Sequence, residues 1–186
     1  MTLTVGSDPE FFLVDISGNL VSSVGLLGGN KDNPLKTPNG FIHEDNVTAE
    51  VNTLPSKSLQ EFIQNHKLIM QDLDDIIKPL DLSVKIAGSA LFPESIRESP
   101  ESMLAGCSPD YNAWTMQENP TIDYAESLLR AAGGHVHVGF DCGESIEERI
   151  NFCKALDLEL GKISIWTADD VERRSLYGKA GAHRPK

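Results

Sequence analysis

Three pairs of polar side chains in apolar, strand-like settings are the residues of this chain best placed to do chemistry: Asp8/Glu10, Glu50/Asn52 and His135/His137. Side chains two apart on a strand point to the same face. Each pair therefore presents two polar groups together, while Phe11 and Leu13, Val47, Ala49 and Val51, and Val136 and Val138 point the other way. If the three strands share one sheet, its polar face gathers carboxylates, an amide and imidazoles. That gathering is what a divalent-metal site requires. Buried carboxylates are costly without a cation or hydrogen-bond partners, so such a face either binds metal or lies open to solvent. Hard oxygens with one imidazole suit magnesium or manganese, and two histidines plus a carboxylate also suit zinc or iron. With no thiolate at ligand spacing, magnesium with a nucleotide is the first choice.

Taken singly, Glu10 or Glu50 reads as a solvated strand residue, and the His-Val-His pair is an even contest between a ligand and a structural reading. Gly133-Gly134 and Gly139 around the histidines favour close approach by a ligand or a neighbouring chain. Gly25 to Lys31 superficially resembles a phosphate loop but lacks the GxxxxGK[ST] spacing, and no Gly-x-Gly-x-x-Gly comes after a strand. Lys31 is either a phosphate contact or a solvated loop lysine. There is no Gly-x-Ser-x-Gly elbow, and Cys107 has no adjacent base, so a covalent nucleophile is not expected.

The elements that position these residues read as a single α+β unit. Apolar residues from Leu59 to Ile77 recur at steps of three and four, Ser58 with Glu61 forms a capping box, and Pro79 ends the helix. A second helix begins at Ser145, carries Ile146, Ile150, Cys153, Leu156 and Leu160 toward the core and runs to about Trp166. Ser99-Pro100-Glu101 opens a short helix, and another covers Asp169 to Tyr177. Strands are expected at Glu10 to Asp15, Leu20 to Val24, Phe41 to Glu44, Val47 to Asn52, Leu82 to Ala87 and His135 to Phe140, with a hairpin turn at Ser17-Gly18-Asn19. Gly25 to Gly40 reads as a long irregular loop. The apolar strand faces pack under the two long helices.

Composition narrows the partners. Sixteen basic residues face 28 acidic ones in 186, a formal charge of -12, with a pI near 4.7. That field opposes nucleic acid and anionic membrane surfaces, and no basic patch is visible to override it. No apolar run approaches the ~20 residues of a membrane span, and the N-terminus lacks a signal-peptide layout, so a cytoplasmic protein is expected. Cys107, Cys142 and Cys153, odd in number and irregular in spacing, read as reduced thiols.

Five motifs taken together resemble a known family. They are Gly6-Ser-Asp-Pro-Glu10-Phe-Phe, Gly28-Gly-Asn-Lys31, Asp45-Asn46-Val with Glu50-Val-Asn52-Thr-Leu-Pro55, Gly106-Cys107-Ser-Pro-Asp110-Tyr-Asn112-Ala, and Gly133-Gly-His135-Val-His137-Val-Gly139. In order and in coverage of nearly the whole chain they resemble the phage-encoded carboxylate-amine ligases (type 2), which are similar to glutamate-cysteine ligases and have a glutamine-synthetase-like fold. The resemblance implies a curved, mainly antiparallel sheet with helices on its convex side and magnesium (or manganese) with ATP on its concave face. It implies transfer of the ATP γ-phosphate to a carboxylate and attack of an amine on the acyl phosphate. Carried over by position, Glu10, Glu50 and one of His135 or His137 would be metal ligands. Asp8 and Asn52 would orient groups, and Lys31 with Arg173, Arg174 or Arg184 would contact phosphate or carboxylate. Related sequences continue into a strand bearing a glutamate and an arginine, so the stop at Lys186 implies a truncated member, a fragment, or a strand supplied by another chain.

Three functions are expected on these grounds: an ATP- and magnesium-dependent ligase acting on small-molecule or peptide carboxylates and amines; a catalytically incomplete metal- or nucleotide-binding module acting through a partner; and a hydrolase in which His135, His137 and Glu50 activate water. Substrate identity and oligomeric state stay open.

Overall fold

The computed structural model describes residues 3–103, 110–119, 127–139, 145–167 and 181–184. The expected helix from Asp169 to Tyr177, Arg173, Arg174, Cys107 and Cys142 lie outside these residues. In chain order the strands and α-helices are β1 (Thr4–Ser7), β2 (Glu10–Val14), β3 (Leu20–Val21), β4 (Leu35–Thr37), β5 (Gly40–Asp45), β6 (Thr48–Thr53), α1 (Leu59–Ile77), β7 (Ser83–Lys85), β8 (Ser89–Leu91), β9 (Tyr111–Asn112), β10 (Leu129–Ala131), β11 (Val136–Gly139), α2 (Ile146–Leu156), α3 (Lys162–Thr167) and β12 (Ala182–His183), and short 3-10 turns cover Lys78–Leu80, Glu94–Glu98 and Glu101–Met103, the last where a short helix was expected. The chain divides into two compact units, Met1–Gly106 with Tyr124–Asp141, and Cys107–Asp123 with Cys142–Lys186. Among the described residues no helix is long and apolar enough to cross a membrane.

The first unit is a mixed α+β structure on a curled antiparallel half-barrel sheet, ordered β3-β2-β6-β5-β4 with β7 also paired to β2. Register decides which residues share a face. Glu10 lies opposite Glu50, and Glu50 opposite His43. These three, with Asp45 two residues beyond His43, therefore point to one side. Leu13, Ala49, Val51 and Ile42 point to the other, where they bury against Ile69, Leu73 and Ile77 of α1. Phe12 joins a separate cluster with Val47, Phe92 and Ala132.

Helix α1 begins as its capping residues dictate: Ser58 Oγ accepts the Glu61 N–H at 3.2 Å, and Glu61 in turn accepts the N–H of Lys57 at 2.7 Å. Its apolar stripe is longer than the surface it covers. Leu59 and Ile63, expected to face the core, are exposed in the first turns, and burial starts at Ile69. Upstream, His66 is tied by Nε2 to Ser7 Oγ at 2.6 Å, which joins the helix to β1.

The expected irregular loop from Gly25 to Gly40 is corrected by the structure, because it contains β4, paired antiparallel with β5. A β1–β11 ladder and a β8–β10 pair complete the described strands of this unit. The glycines beside the histidines serve the chain itself. A side chain at Gly134, where φ is +150°, would meet Pro9 Cα at 2.8 Å, and one at Gly139 would meet Thr4 Oγ1 at 2.6 Å.

In the second unit α2 and α3 are joined through a π-helical stretch, Asp157–Gly161. The helix expected from Ser145 to about Trp166 is therefore helical along its span, with the π stretch inside it. The wider π turn rotates the residues C-terminal to its start, so Leu160 leaves the face that Ile150 buries, and Ile146 at the helix start is exposed as well. Ser145 caps the helix by position without a side-chain hydrogen bond. Trp114 donates from Nε1 to Asp157 at 2.8 Å, with Lys154 Nζ 5.7 Å from its ring centre, and β9 pairs with β12.

Packing of α1 on the sheet gives a direct expectation. Leu73→Ala, at a fully buried position, lowers the free energy of unfolding by about 2–5 kcal/mol. Leu59→Ala, at an exposed one, changes it by no more than about 0.5 kcal/mol. Urea denaturation of both variants checks the pair.

Candidate metal centre

Glu10 on β2, Asp45 at the end of β5 and Glu50 on β6 each offer a carboxylate oxygen, all within 4.8 Å of one another. The sheet produces this cluster in two ways. Glu10 and Glu50 are direct cross-strand partners, and the β5–β6 hairpin turns through Asn46, whose φ is +55°. That turn pairs Asp45 with Thr48 and so returns it to the face of Glu50. Asp45 and Glu50 are buried, at 7% and 8% exposure.

Crowding three carboxylates out of water disfavours their charged forms. Burial, then the neighbouring charges of Asp45 and Glu50, push Glu10 up to about 7 despite a hydrogen bond from the Gly133 N–H at 2.9 Å. Burial and the Glu50 charge raise Asp45 as well, opposed by Lys31. His43 is buried too, which by itself would lower its pKa. The Glu50 carboxylate, 3.4 Å from its Nε2, and the Asp45 charge outweigh this and raise it. Asn52, on the same face, donates from Nδ2 to Glu50 Oε1 at 3.0 Å.

Lys31 lies in the β3–β4 connection. Gly29 O accepts the Glu44 N–H at 3.0 Å, Glu44 Oε1 accepts the Leu27 N–H at 3.0 Å, and Asn30 Oδ1 accepts the N–H groups of Asp32 and Asn33. These bonds lay the turn along β5, and the Lys31 charge acts on both Asp45 and His43. A side chain at Gly29 would meet Leu35 N at 2.3 Å.

Asp8, His135 and His137 form an adjoining group. Asp8 accepts the His135 backbone N–H, with His135 Nδ1 3.1 Å from Oδ1 and His137 Nε2 2.9 Å from Oδ2. Burial would raise Asp8, but these partners outweigh it and hold Asp8 down at about 2. An ionised carboxylate only accepts, so the protons lie on His135 Nδ1 and His137 Nε2.

The structure thus brings Glu10, Glu50 and Asn52 of the sequence-derived set together, and sets Lys31 in the turn laid along β5, where its charge acts on Asp45 and His43. It turns the facing nitrogens of His135 and His137 toward Asp8, and it places Arg184 after β12 in the second unit. Asp45 and His43 join the centre although sequence reasoning gave neither a role. Asp45 appeared only within a motif; the signal that finds both is hairpin register, since a tight turn at Asn46 fixes which β5 residues share the face of Glu50. Compared with protein-family models, curated proteins and solved structures, the chain matches none.

The two carboxylate groups predict opposite pH dependences. Glu10 binds its proton more tightly when folded, so its contribution to stability is full below its ordinary 4.5 and declines as pH rises to about 7. Asp8 contributes above its ordinary 3.8, and that contribution is lost as pH falls toward about 2. Urea midpoints measured with EDTA from about pH 3 to pH 8 check this: Glu10→Gln flattens the decline between about pH 4.5 and 7 and leaves the acid limb in place.

Proposed function

We propose that the acidic face of the first unit binds a divalent cation, magnesium or manganese, and that the chain is an ATP-dependent carboxylate-amine ligase of glutamine-synthetase-like type. The observation that carries the reading is the convergence of Glu10, Asp45 and Glu50 within 4.8 Å on one sheet face. Three hard oxygen donors without a thiolate fit magnesium or manganese. The upward shift of Glu10, caused first by burial and then by the Asp45 and Glu50 charges, supports the same reading, because a cation at this place would favour its ionised form.

In this reading Glu10, Asp45 and Glu50 hold the cation, and Asn52 fixes the orientation of Glu50. The cation, when bound, would offset charge on the nucleotide's phosphates. Lys31, on the turn laid along β5, supplies a cationic contact for a phosphate oxygen. Asp8 orients both imidazoles. In the ligase reaction the substrate carboxylate oxygen takes the γ-phosphoryl group and ADP leaves. The amine then attacks the acyl carbon, loses a proton and expels phosphate as the C–N bond forms. The five motifs named from the sequence supply the choice of ligase chemistry, and the charge cluster supplies the place for it.

The test uses the full chain. Mn2+ binding by calorimetry is abolished in Glu10→Gln and Glu50→Gln, whereas Lys31→Ala retains the metal and binds ATP about 10–100-fold more weakly, the range for a lost charge-assisted hydrogen bond. Phosphate release from ATP requires a carboxylate and an amine together. Metal affinity unchanged in both glutamine variants removes the site, and metal and ATP binding with no turnover on any carboxylate-amine pair removes the ligase.

A further inference from the structure

Phe41 alternates on β5 with Ile42, which is fully buried, so its ring points the same way as His43 and Asp45. It lies opposite Asn52 of β6 on one side and Lys36 of β4 on the other. Although strands flank it on both sides, Phe41 is 40% exposed and belongs to neither core cluster. Leaving an aromatic ring in water forgoes its burial energy. Among the described residues this ring meets no other ring and no cation, and Lys36, exposed beside it, makes no ion pair. In a chain of formal charge -12, a bare aromatic surface next to an unpaired ammonium is complementary to a ligand with a flat ring and an anionic tail. A nucleotide has both.

We infer that Phe41 is the platform on which the base of a bound nucleotide stacks, with Lys36 at its side. This rests on the nucleotide reading above and adds a base subsite that reading does not assign. Four residues of strand separate Phe41 from Asp45, about 13 Å, a span that an extended nucleoside triphosphate covers between its base and its terminal phosphate. A base held at Phe41 thus leaves the terminal phosphates beside the carboxylates and the Lys31 turn, with Lys36 placed for the phosphate nearest the base. Every base has a π face, so stacking supplies affinity and little choice between adenine and guanine.

The experiment measures binding of ATP, of inorganic triphosphate and of Mn2+ alone to the full chain by calorimetry, the first two with Mn2+ present. Wild type, Phe41→Ala, Phe41→Leu and Phe41→Tyr are compared, and circular dichroism establishes that each is folded. Wild type binds ATP more tightly than triphosphate. Phe41→Ala weakens ATP binding about 5–150-fold, the range for a base that loses its aromatic platform, and leaves triphosphate and Mn2+ binding as in wild type. Phe41→Tyr, which keeps a ring, retains the wild-type ATP affinity; a role in packing alone would move all three ligands together. If Phe41→Ala does not fold, Phe41→Leu, which keeps apolar bulk without a ring, carries the comparison and shows the same selective loss. Unchanged ATP affinity in the folded ringless variants overturns the platform while the metal centre stands, and so does a wild type that binds ATP no more tightly than triphosphate. No ATP binding by wild type overturns the nucleotide reading, and the platform with it.

Discussion

The antiparallel register that sets Glu10 opposite Glu50 and Glu50 opposite His43 is the constraint on which the rest of the first unit depends. A shift of one residue in either strand pair would turn the carboxylates into the α1 core and the apolar side chains outward. The register is held from the other face. Leu13, Ala49, Val51 and Ile42 are buried against Ile69, Leu73 and Ile77, so hydrophobic packing on one side of the sheet keeps like charges together on the other. The elevation of Glu10 to about 7 reflects its burial first and the neighbouring carboxylates second.

Two neighbouring carboxylate groups illustrate how surroundings separate chemically similar residues. Asp8 is buried, but a backbone N–H and two imidazoles face it, so its charge is satisfied by the chain. Glu10, two residues away, accepts the Gly133 N–H and has two acidic neighbours, so its charge calls for something more. In the proposed function Asp8 is therefore structural and orienting, while Glu10, Asp45 and Glu50 form the part of the surface suited to a cation. The connection carrying Lys31 complements them: its hydrogen bonds to β5 give an otherwise flexible lysine a defined neighbourhood.

Some of this was legible in the residue pattern. Alternation marked the strands containing Glu10 and Glu50, and the capping residues at Ser58 marked the start of α1. The second helix was harder, because its periodicity carries no sign of the π turn at Asp157–Gly161 that takes Leu160 away from the buried face. The apolar stripe of α1 likewise overstated burial, since periodicity reports which face is apolar and not how much of it the sheet covers. The glycines around the histidines pointed to close approach, and the neighbour proved to be the chain's own Pro9 and Thr4.

Local sequence by itself determined the properties that depend on near neighbours: strand faces at Glu10 and Glu50, the cap and span of α1, and the acidic charge balance. Tertiary structure decided the properties that depend on register between distant segments. It brought Asp45 and His43 to Glu50, directed the imidazoles of His135 and His137 to Asp8, and laid the Lys31 turn against β5. The physical reason is that alternation fixes only which side of its own strand a residue occupies. Which residues meet across strands is set by hydrogen-bond register and by the packing of α1 on the opposite face.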